Sequence, residues 1–152
     1  MTQEPLVPDD FDVPRELRAA RFRLEPLGPE HNASDLDAWT SSIDHIRRTP
    51  GFEGRDWPPE GGLPSEANLD DLVRHADEFD RRVAFAYTVL APEAEPQNVI
   101  GCLYVDPGPR PGVADVRSWV RADVADLDLV LRQEVRQWLA DVWPFDEVLY
   151  AG

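Results

Sequence analysis

The sequence predicts an α/β (α+β) domain, a mixed, mostly antiparallel twisted sheet of about five strands flanked by three helices. Three observations carry this. Residues 83–90 (VAFAYTVL) and 98–105 (NVIGCLYV) are apolar on both faces, as central strands are, and the link between them is short enough for an antiparallel hairpin. Two helical stripes precede that hairpin. After it, residues 114–143 pass from a period of two to steps of three and four, a strand feeding a helix, and a short run at 146–151 (DEVLYA) completes a strand–helix–strand crossover. Such crossovers are right-handed and join parallel strands, so the last pair of the sheet is expected to be parallel.

Taken in order, residues 1–20 read as an N-terminal arm, its acidic, proline-bearing stretch 1–14 laid on the surface or disordered, with a brief helical turn over 14–20. Residues 21–152 form the domain. At 21–27 (RFRLEPL) alternation points Phe22 and Leu24 inward, and Gly28-Pro29 ends that strand. A helix over 33–47 carries Leu36, Trp39, Ile43 and Ile46 on one stripe. Residues 50–64 (PGFEGRDWPPEGGLP) are kept irregular by glycine and proline yet carry Phe52 and Trp57. Loops of that length often line or cover a site, and the two rings also serve to staple the loop to the body. A helix over 65–82, starting at Ser65, buries Leu69, Leu72, Val73, Ala76 and Phe79. Residues 91–97 turn between the hairpin strands, and Gly101 marks a bulge or a close approach.

In the closing unit, Val116, Ser118 and Val120 point one way and Arg117, Trp119 and Arg121 the other. The helix stripe runs Val124, Leu127, Leu131, Val135, Trp138, Val142, with Asp123 placed to cap it and Trp143-Pro144 to end it. A strand, a short turn and a helix N-terminus make free backbone N–H groups converge, which is how many folds hold phosphate.

Composition narrows the partners. Net charge is −15 and all 15 basic residues are arginine, an acidic excess that argues against nucleic acid and anionic membranes and suits a cationic partner. The apolar fraction of 42% supports a proper core. Cys102 is the only cysteine and lies in an apolar run, so no disulfide framework or thiolate metal site is expected. His31, His45 and His75 have no metal-ligand spacing, Ser118 lacks a nucleophile-elbow context, and GFEG and PEGG lack the Lys-Ser/Thr of a P-loop. No stretch is long and apolar enough to span a membrane and the start has no leader pattern, so a cytoplasmic location is expected.

This order of elements, with PLGPEH after the first strand, NVIGCLYV as the third and a long helix after DVRSWV, resembles the GNAT superfamily of N-acetyltransferases over residues 21–152. The resemblance implies acyl-CoA-dependent acyl transfer to an amine, small or protein-borne. It implies a parallel fourth and fifth strand that splay apart, with the pantetheine arm of acetyl-CoA along Val116, Ser118, Trp119 and Val120 and its diphosphate on the loop and helix start beyond. Asp126 and Asp128 stand where that loop has glycines in the family, with Asp123 just before them. Carboxylates there stabilise the helix end and repel a diphosphate, leaving Arg121 and Arg117 to supply compensating charge. The resemblance further implies a helix and two strands after the fifth strand, with a tyrosine that protonates the departing thiolate. The sequence ends at Gly152, so the last strand is expected to be an open edge, filled by a second copy of the chain or by the N-terminal arm.

The candidate base is Asp115 or Glu25 and the candidate acid Tyr150, each also readable as an ordinary surface or packing side chain. Trp57 and Trp39 are candidate acceptor-binding residues. Trp119 lines the cleft or fills the core. Asp35, Asp37 and Asp44 face a cationic acceptor or simply solvent. The alternative function is a catalytically silent relative that binds a ligand or protein partner on the same scaffold.

Overall fold

The computed structural model describes residues 4–92 and 98–152, so most of the turn expected at 91–97 lies outside the described residues. In chain order the elements are β1 (Leu17–Arg18), β2 (Arg23–Pro26), α1 (Asn32–Thr40), α2 (Ile43–Arg48), α3 (Ser65–Asp80), β3 (Phe85–Leu90), β4 (Val99–Pro107), β5 (Val113–Val120), α4 (Leu127–Val142) and β6 (Glu147–Tyr150). The strands form one sheet in the order β1-β2-β3-β4-β5-β6. Every neighbouring pair is antiparallel except the last, β5–β6, which is parallel as the crossover requires.

Period-two alternation divides the interior. Phe85, Tyr87 and Val89 of β3, Leu103 and Val105 of β4 and Val116 and Val120 of β5 meet Leu127, Leu131, Val135 and Trp138 of α4 on one face. Ala86, Leu90, Cys102 and Trp119 meet Trp39, Ile46 and Leu72 on the other. Phe22 and Leu24 are fully buried, as alternation in β2 predicts. Cys102 is buried too, and desolvation pushes its thiol pKa up. Gly101 both borders a register shift, between Val89 and Leu90, and lies where a Cβ would run into the Trp119 carbonyl.

Several expectations are corrected. Residues 14–20 form no helical turn: Leu17–Arg18 pair with Leu24–Arg23 as a sixth strand. The arm is folded in, with Val7 buried and the Arg82 guanidinium donating to the Pro8 and Phe11 carbonyls. It adds to the β2 edge and does not reach β6. The helix expected at 33–47 is two helices, broken at Ser41-Ser42. There Ser41 Oγ donates to the Ala38 carbonyl, while buried Ser42 accepts the Ala122 N–H at 2.8 Å. Asp123 caps nothing; a 3-10 turn over Ala122–Val124 intervenes, and α4 starts at Leu127 with Asp126 before it. α3 starts at Ser65 as expected and ends at Asp80. Leu69, Val73 and Val142 are exposed; the buried stripe of α3 is instead Asn68, Leu72 and Phe79, with polar Asn68 in a position the apolar count passed over.

Candidate functional site

Two features of this sheet converge on chemistry, the seam between β5 and β6 and a cavity on the opposite face. At the seam the parallel ladder runs from Val113↔Glu147 to Val116↔Tyr150 and stops. β5 goes on to Val120, so among the described residues its last four have no strand beside them on that edge. In this gap the Ser118 and Tyr150 hydroxyls lie 2.5 Å apart, and burial pushes the Tyr150 phenol up to about 12. Arg136 donates to the Tyr150 and Gly152 carbonyls and stacks its guanidinium over the Tyr150 ring at 5.0 Å. Asp128 points in from the start of α4. Its Oδ2 is 2.7 Å from His45 Nε2, burial pushes its carboxyl up, and His45 and Arg132 pull it back. Its Oδ1 and the Nε and Nη1 of Arg132 are buried with no protein partner.

Beyond β5 the turn is occupied by its own chain. The Ala122 N–H goes to Ser42, the Val124 N–H to the Arg121 carbonyl and the Asp128 N–H to the Ala125 carbonyl. Arg121, expected to supply positive charge here, is held between Asp123 (3.2 Å) and Asp37 (3.1 Å), and Arg21 takes Asp126 at 2.8 Å. Arg117 is not at the turn at all.

Arg117 belongs to the cavity, about 350 Å³, bounded by α1, α3, the 50–64 loop, β4 and β5. Its walls are aromatic. Trp57, at the cis Trp57-Pro58 bond, sits 5.4 Å from Trp39, 6.0 Å from Phe52 and 6.1 Å from Trp119, ring centre to ring centre. The Arg117 guanidinium covers Phe52 (5.2 Å) and Tyr104 (5.4 Å) and pairs with Asp106 at 3.3 Å. Trp119 is wholly buried and donates its Nε1–H to Tyr104, so it both fills the core and backs this wall. Asp35 and Asn68 supply the polar end. Asn68 accepts from Trp39 Nε1 at 3.0 Å and donates to Asp35 Oδ2 at 3.2 Å. Burial raises the Asp35 carboxyl to about 6 and lowers His75 to about 4, so His75 is uncharged at neutral pH.

The structure therefore gathers Ser118 and Tyr150 at the seam and Trp39 and Trp57 at the cavity. Asp115 sits beside the seam, opposite Leu149. Glu25 is far from both hydroxyls, on β2 with β3 and β4 between it and β5, roughly 14 Å by strand spacing. It is held by Arg23 (2.7 Å) and His31 (2.8 Å). Sequence reading passed over Asn68, Tyr104 and the His45–Asp128 pair. The last spans 83 positions and leaves no local trace; Asp35, named with Asp37 and Asp44 as one acidic face, lies four residues before Trp39, one turn along the same stripe, and that spacing could have set it apart from the other two. Among the described residues no group of three or more His, Cys, Asp or Glu is arranged to hold a metal, and no helix is long and apolar enough to cross a membrane.

No protein-family model and no curated protein matches the sequence. Solved structures do match the fold. The ribosomal-protein-S5-alanine acetyltransferase of Vibrio fischeri superposes with a TM-score of 0.64 at 11% identity, over 84% of this chain and 67% of that one. The ribosomal L7/L12 alpha-N-protein acetyltransferase RimL gives 0.66 at 13%, over 92% and 72%. The microcin C7 self-immunity acetyltransferase MccE, solved with acetyl-CoA and AMP, gives 0.56 at 9%, over 86% and 70%. With its antiparallel strands, α4 crossover and parallel final pair, the chain has the fold of the GNAT N-acetyltransferases.

Proposed function

We propose that the protein is a GNAT-type N-acyltransferase, taking an acyl group from a coenzyme A thioester and passing it to an amine. The observation that supports this best is the seam, where β5 runs four residues past its parallel partner beside the hydrogen-bonded hydroxyls of Ser118 and Tyr150. The outward backbone of β5 beyond Val116, at Ser118 above all, has no strand beside it among the described residues and offers a pantetheine amide chain the hydrogen bonds a strand would otherwise make, while the Val120 N–H is turned to the Asp128 carboxylate. Val116, Ser118, Trp119 and Val120 are the assigned donor-binding residues, Tyr150 the acid and Asp115 the base. Glu25 is the weaker base, its charge already matched by Arg23 and His31. Trp39 and Trp57 form the acceptor side. The acidic excess supports a protein without nucleic-acid or anionic-membrane partners, a cytoplasmic location is part of this reading, and the side of β6 that pairs with no strand among the described residues, with Leu149 exposed, is the proposed homodimer contact.

The nucleotide half of coenzyme A does not fit. The turn has no glycine, three of its amides are already bonded, three aspartates surround it, and Arg121 is neutralised by two of its neighbours. No catalytic step is assigned through a diphosphate cradle. This same observation favours a second reading, a silent relative that binds ligand without transfer.

Isothermal titration with acetyl-CoA and with S-acetylpantetheine separates them. The first reading expects both to bind within about threefold of one another, since the nucleotide contributes little. Binding of neither donor establishes the silent relative. Acetyl-CoA binding about a hundredfold tighter than the truncated donor would show the turn to be a working phosphate site.

A further inference from the structure

A carboxylate removed from water with no cation beside it is costly, and a protein keeps one mainly where a ligand completes it. Asp35 is 4% exposed, and no arginine or histidine among the described residues lies within ion-pair distance of it. The other acidic side chains at the cavity are engaged: Asp106 holds Arg117 at 3.3 Å and Glu78 holds Arg74 at 3.2 Å, with Asp71 at 3.9 Å from the same guanidinium. The Asn68 amide, itself fixed by Trp39 and Asn32, holds the Asp35 carboxylate in place by its Oδ2. The aromatic walls divide in the same way. Arg117 already covers Phe52 and Tyr104, whereas among the described residues no cation covers Trp39 or Trp57. One buried anion and two indoles thus line about 350 Å³, the lower end of small-molecule sites.

We propose that this cavity binds a small primary amine as its cation, the ammonium on Asp35 and an apolar or aromatic body against Trp39 and Trp57. A neutral occupant would leave the carboxylate desolvated and unpaired, and an anion would be repelled. The inference deepens the acyltransferase reading by naming its acceptor, and rests on that reading only for what then happens to the amine.

Calorimetry on the full chain with phenethylamine, n-butylamine and 2-phenylethanol tests it without any acyl donor. Failure of donor binding and failure of amine binding are therefore separate results. Both amines are expected to bind and to change tryptophan fluorescence, with 2-phenylethanol at least about tenfold weaker than the phenethylamine it matches in shape. Asp35→Asn should erase that difference, and Trp57→Ala should weaken phenethylamine by about tenfold while circular dichroism stays unchanged. The proposal is overturned if the alcohol equals the amine, if Asp35→Asn keeps the preference, or if neither amine saturates by about 10 mM. Should the Asn variant fail to fold, an unaltered phenethylamine affinity in Trp57→Ala overturns it equally.

Discussion

Asp35 shows what a site costs at the scale of one residue. Its neighbours in space are Asn68 and Asp71 from α3, His31 before α1 and Cys102 and Tyr104 from β4, a set with little to offset lost hydration. The folded carboxyl titrates near 6 against 3.8 for the ordinary group, so the folded state holds its proton more tightly than the unfolded chain does. Its contribution to stability is therefore full below about pH 4 and is lost as pH rises through about 6, a fall of up to about 3 kcal/mol. Asp35→Asn should raise the melting temperature at neutral pH and flatten stability between those pH values. A variant that melts lower at neutral pH, with the same slope, would show the carboxylate to be stabilising in place. Such a trade of stability for a ligand is familiar where function needs an unpaired charge. In the sequence Asp35 sat among Asp37 and Asp44 as one acidic helix face. Composition cannot separate them, because burial depends on which side α3 lies.

At the scale of elements, the breaks proved more informative than the helices. The Ser41-Ser42 interruption turns α2 toward the end of β5, where Ser42 and His45 take up Ala122 and Asp128. A phosphate-binding turn needs those amides free and its helix end unshielded. Here the positive end of α4 faces Asp123, Asp126 and Asp128 of its own chain. Neutralising two of them, as Asp123→Asn with Asp126→Asn, should tighten inorganic pyrophosphate binding severalfold at low ionic strength, and about 1 M salt should cancel the gain. Calorimetry showing no gain at low salt would mean that the occupied amides, not the charges, bar the anion. Strand and helix identities were legible because alternation in β2 and β5 and the Leu127–Leu131–Val135–Trp138 stripe are local patterns. The caps and breaks were not, since Ser42 leaves the helix to satisfy an amide 80 residues away.

For the whole molecule, the sheet has two edges, β1 and β6, and the arm protects the first. Residues 1–20 resembled a surface tail because proline and acid dominate them, yet Val7 and Phe11 pack into the core beside Trp143. With the arm spent on the far edge, the homodimer proposal rests on β6. Sedimentation velocity should give a dimer at micromolar concentration, and Leu149→Lys, at a position 39% exposed, should give a monomer with unchanged circular dichroism. A monomer in the unsubstituted chain sinks the proposal. The net charge of −15 opposes any such association, so the dimer should strengthen with salt.

Sequence alone determined five of the six strands (all but β1), the parallel last pair and the fold they imply, because periodicity and crossover handedness act over a few neighbouring residues or one connection. It also determined that the turn after β5 is acidic. Only the tertiary structure decided that Arg121 is neutralised, that Tyr150 meets Ser118, and that Asp35, held by Asn68, has no ion-pair partner among the described residues beside two tryptophans. Those outcomes are set by distances between residues far apart in the chain, and packing, not pattern, brings them together.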